Sequence, residues 1–162
     1  MERQKRRLPA ALAGVAIALV AAWAYAQEHQ HLPARATQGS DSRELVTFPE
    51  PMRLHTIANM RDHVLALQEI DVALSRSEFD KASNIAETRL GMSSLEAHGA
   101  AHLAPYMPPG MQEIGSGMHR AASRFAVAAQ DAGVSNDVRP ALAALGGVMQ
   151  QCVARHAAYR LH

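Results

Sequence analysis

One cysteine, Cys152, serves the whole 162-residue chain. An internal disulfide is therefore excluded, and with it the stapled architectures of small exported domains. No run of residues reads as a β-strand, and after Ala22 no second long apolar stretch appears that could span a membrane. Neither a Ser/His/Asp arrangement, a phosphate loop nor a carboxylate pair at catalytic spacing is legible. Hydrolase and transferase chemistry gain no support, and no enzymatic activity is expected.

What is present begins at the N-terminus. Arg3, Lys5, Arg6 and Arg7 precede an almost wholly apolar stretch from Leu8 to Ala22, and Ala24-Tyr25-Ala26 gives a small-x-small cleavage pattern. The apolar stretch is shorter than the roughly 20 residues of a spanning helix. These features predict a signal peptide over residues 1–26, cleavage after Ala26, and a periplasmic product with no membrane attachment. Removing four cations and Glu2 takes the formal charge from +1 to −2. The basic precursor thus carries no implication of nucleic-acid binding. Residues 27–51 are polar with scattered proline, as in Gln38-Gly39-Ser40-Asp41-Ser42, and predict a flexible leader. His29 and His31 lie in it and are read as incidental.

Helical periodicity occupies residues 52–162, which form one domain. In the first segment Ile57, Met60, Val64, Leu67 and Leu74 recur at three- and four-residue steps or their multiples, with Asp71 interrupting. A second helix is expected from Glu78 or Asp80 to about His98. Pro105, Pro108 and Pro109 forbid continuous helix between Ala104 and Gly110. A third helix is expected from about Met111 to Ala132, stopped by Gly133, and a fourth is capped by Asn136 or Asp137. In that fourth helix Leu142, Leu145, Met149, Cys152, His156 and Tyr159 form an expected inward stripe, which stacks Cys152 and His156 one turn apart. Four helices with short links predict an all-α fold, an antiparallel four-helix bundle.

Cys152-Val153-Ala154-Arg155-His156 is the haem-attachment motif C-x-x-C-H with Arg155 at the second cysteine. With Tyr159 and Arg160 following on the last helix, residues 52–162 resemble the cytochrome c′ superfamily. The resemblance implies haem c with a single thioether at Cys152, His156 as proximal iron ligand, and a haem edge between helices one, three and four. It also implies that Met60, on helix one, is the candidate sixth ligand. Arg155 either pairs with a haem propionate or extends into solvent. The activities implied are electron transfer with a redox partner protein or reversible binding of a small gas, and the chain is allowed to form a homodimer.

Methionine and histidine also recur as neighbours or near-neighbours: Met52 with His55, Met60 with His63, His98 with His102, Met107 with Met111, and Met118 with His119. Thioethers beside imidazoles suit copper. The alternative expectation is therefore a haem-free bundle that binds copper through His98, His102, Met118 and His119, or that serves as a protein-interaction module.

Overall fold

The structure, a computed structural model, describes residues 41–162. The expected signal peptide, most of the leader, and His29 and His31 lie outside the described residues. The elements run β1 (Glu44–Val46), α1 (Glu50–Ser75), α2 (Phe79–Arg89), α3 (Ala100–Leu103), α4 (Pro109–Ser135), α5 (Arg139–Ala158) and β2 (Tyr159–Leu161), with 3-10 turns at Met92–Ser94 and Ala104–Tyr106. The fold is all-α apart from one short strand pair.

Local chemistry explains the boundaries. Proline stands in the first turns of α1, α4 and α5, where its missing N–H costs nothing. The α1–α2 link turns at Ser77 with φ 58°, and α4 stops at Asn136 with φ 56°, both in the left-handed region. At the start of α5, Asp137 Oδ1 accepts the Arg139 N–H at 3.0 Å. Gly133 does not stop α4, which continues past it to Ser135.

Two expectations are corrected. The second helix does not reach His98: Gly91 closes it by donating its N–H to Ala86 O at 2.7 Å, and the chain turns away. Nor does the leader extend unstructured to Pro51. Residues 44–46 pair in parallel with residues 159–161, Glu44 opposite Tyr159 and Val46 opposite Leu161. Val46 and Phe48 then bury beside Leu103 and Met111. Strands this short carry too little alternation to be read from sequence.

The main core is built from alanine. Ala82, Ala86, Ala121, Ala122, Ala126, Ala129 and Ala141 are buried around Phe125 and Ile70. Small side chains let helices approach closely, so α1 packs on α2, α2 on α4 and α4 on α5. The 11 residues of α2 cannot flank all 26 of α1. Neither α4 nor α5 packs closely on the α1 backbone. Beyond the reach of α2, the N-terminal half of α1 therefore borders cavities instead of a helix. Arg89, at the end of α2, ion-pairs with Asp62 and Glu69 of α1 where that open region begins.

Candidate functional site

Three cavities meet along the inner side of α1. The largest, about 620 Å³, is walled by Ile57, Met60 and Val64 of α1, Met111 of α4, Arg155 and His156 of α5, and Tyr159 of β2. Arg43, Arg61 and Arg160 also line it. A second, about 260 Å³, lies among Met60, His63, His98, Met107, His119 and Arg155. A third, about 20 Å³, touches Cys152, Met118, His63 and His156. Met60 and Arg155 line all three.

Met60, Arg155, His156 and Tyr159 thus come together on one cavity, while Cys152 lies on the small one beside it. The expected seam of α5 is rotated, however. Ala141, Leu145 and Val148 are buried and Cys152 is half-buried, whereas Leu142 and Met149 are 47% and 45% exposed and His156 is exposed. Arg155, not His156, continues the inward face. The reason is the alanine core: where helices pack through small residues, large side chains no longer mark the buried stripe. Tyr159 also leaves the helix and begins β2.

Arg155 does not extend into solvent. Its guanidinium lies within the cavity walls, 3.9 Å from Met107 Sδ, and burial pulls its pKa below the usual arginine value. Burial likewise pushes the Cys152 thiol up, so the folded chain holds it protonated at neutral pH. At the strand pair, Arg43 donates to His156 O at 3.3 Å and ties the α5 terminus to the segment before α1.

The second cavity gathers three imidazoles from three segments. Ring centres lie 4.8 Å apart for His63 and His98, 5.4 Å for His98 and His119, and 6.4 Å for His63 and His119. His119 Nδ1 hydrogen-bonds Leu90 O at 2.7 Å, and His98 Nδ1 lies 3.4 Å from Ser94 Oγ. His63 Nε2 is buried with no hydrogen-bond partner. Burial, then the neighbouring His98 and His119, pulls the His63 pKa down to about 4. His98 and His119 are also lowered, chiefly by burial.

Of the alternative copper set, His98 and His119 are brought together and His102 is not. Gly99, at φ 65°, breaks the helical continuity that an i, i+4 pair needs, and His102 lies exposed on a different recess. Met118 is buried in the main core. The residue missed as a partner is His63. Its signal was the spacing Thr56, His63, Ala66, Ile70, Ala73, the true buried face of α1, displaced from the expected stripe, whose Val64 is 68% exposed.

Comparison with family models, with curated proteins and with solved structures finds no match for this chain. No described helix is long and apolar enough to cross a membrane.

Proposed function

We propose that the chain is an exported, c′-like cytochrome in which α1, α2, α4 and α5 act as an antiparallel bundle and the largest cavity accommodates haem. The observation that carries this reading is the shared wall: Met60 and His156, a thioether and an imidazole, line one cavity between α1 and α5. Its volume falls within the roughly 300–1,000 Å³ of cofactor sites. The donor types fit haem iron, since His/Met ligation is that of electron-transfer cytochromes. Arg43, Arg61, Arg155 and Arg160 fit a ligand with carboxylates. Cys152 lies on the small cavity beside this one, so a single attachment requires a haem edge that reaches past the shared wall of Met60 and Arg155, and Arg155 in place of the second cysteine rules out another.

When bound, haem supplies a one-electron couple; the protein holds it and sets its access to ligands. His156 and Met60 would be the residues that hold the iron, a donor pair that would favour electron transfer with a redox partner over gas binding. Expression with a cytochrome-maturation system is expected to give a pigmented product whose haem resists acid-acetone extraction. The reduced protein is expected to be low-spin and to bind carbon monoxide poorly, while Met60→Ala becomes high-spin and binds it. A colourless product, from cells that mature a control cytochrome, would overturn the reading.

A further inference from the structure

We propose a second site, beside the haem cavity and built on different histidines: His63, His98 and His119 bind one cuprous ion, with Met60 or Met107 completing the donor set. Two of the three ring separations match those of a three-imidazole site, and the third, between His63 and His119, is wider. Metal–nitrogen bonds of about 2.0–2.1 Å at tetrahedral angles put ring centres about 5 Å apart, and the observed separations are 4.8, 5.4 and 6.4 Å. Among the described residues no three donors are already gathered for a metal, so binding draws His63 and His119 together by rotation of the rings.

Three further observations point to a ligand. His63 Nε2 is a buried nitrogen without a partner, a costly state that coordination relieves. The Nδ1 atom of His119 is held by the Leu90 carbonyl, which fixes the tautomer that leaves Nε2 as the free donor. His98 Nδ1 lies 3.4 Å from the Ser94 hydroxyl, a looser contact that orients the ring, and Asn59 Nδ2 donates to His98 O at 3.1 Å, holding that turn against α1.

The chemistry of the wall selects the ion. The cavity has no carboxylate lining, and a buried guanidinium, Arg155, stands beside the rings. The carboxylate whose field reaches His63 and His98, Asp62, is already paired with Arg89 and is no part of the wall, so a divalent ion would meet Arg155 with no anionic donor bound to it. A monovalent ion suffers less, and the thioethers of Met60 and Met107 prefer the soft cuprous state.

The test is anaerobic Cu(I) titration of the purified exported protein against a chromophoric Cu(I) chelator, with circular dichroism on every variant. One equivalent is expected to bind, and His102→Ala is expected to bind it unchanged. His98→Ala and His63→Phe are expected to weaken it by more than the roughly 10–100-fold that loss of an outer hydrogen-bond partner costs. Ser94→Ala, which leaves all the donors in place, should fall within that range. His98 is half-buried in a turn, so its variant reports even if a core substitution unfolds. No binding, binding indifferent to His98→Ala, or Zn(II) bound more tightly than Cu(I) overturns the proposal. Because Cys152 and His156 are outside the set, Cys152→Ser with His156→Ala separates loss of haem from loss of copper.

Discussion

His63 is a neutral ring held where its protonated form is penalised. An ordinary histidine titrates near 6.5 and the buried His63 near 4. Between those values the unfolded chain takes up a proton that the folded chain refuses, so stability is full above about pH 6.5 and falls as the pH drops toward 4. The total is about 3 kcal/mol for this ring, and His98 and His119 act in the same direction. The Asp62 carboxyl, held low by its hydrogen bond to Arg89, is lost at lower pH still. Urea midpoints of metal-free protein at pH 7.5 and 4.5 are therefore expected to differ strongly, and His63→Phe is expected to narrow the gap. An unchanged gap in that variant would show that other groups drive the acid loss. Arg155 makes a different demand. It stands where the C-x-x-C-H pattern has its second cysteine, so Arg155→Cys is expected to raise haem incorporation by adding a thioether and removing a partly buried cation. No gain would mean that the arginine itself helps to hold the haem carboxylates.

Helix identity was legible and helix orientation was not. The breaks after Ser77, between Ala104 and Gly110, and at Asn136 and Asp137 placed the ends of α1, α4 and α5 that they border to within a few residues, because turn chemistry is local, whereas the stop expected at Gly133 did not hold. The faces that meet were displaced, as Val64 and Met149 show, because alanine seams leave hydrophobic size uninformative. The histidine cluster was half legible for a related reason. His98 and His119 come together only because the second helix stops at Gly91 and the chain reverses at Gly99, and no helical period records such a turn. Gly99 is the stricter of the two, since its φ of 65° lies in the left-handed region that side chains rarely adopt and a Cβ would stand 3.2 Å from His55 Nε2. Gly99→Ala is expected to cost about 1–2 kcal/mol in chemical unfolding and to weaken Cu(I) binding by displacing His98. Destabilisation with unchanged copper affinity would show that the turn does not position that ring.

Two sites that share a wall are not independent. Met60 lines both the large cavity and the histidine cavity and has a single sulfur, so it can ligate at one site or at the other. Arg155 borders both and adds its charge to each. Occupancy of one cavity therefore changes the affinity of the other, and linkage requires the same factor in both directions. The Cys152→Ser protein makes this measurable, because haem then binds reversibly and each ligand can be titrated in the presence of the other. Haem is expected to weaken Cu(I), and Cu(I) to weaken haem by the same factor. Met60→Ala should bring that factor toward one, since the remaining copper donor, Met107, is absent from the wall of the large cavity. A factor of one in the parent protein would mean that Met107 alone completes the copper set and Met60 belongs to the haem cavity. A factor that survives Met60→Ala would place the coupling in Arg155, whose movement toward haem carboxylates alters the field at His63 and His119, rings whose pKa values already register its charge.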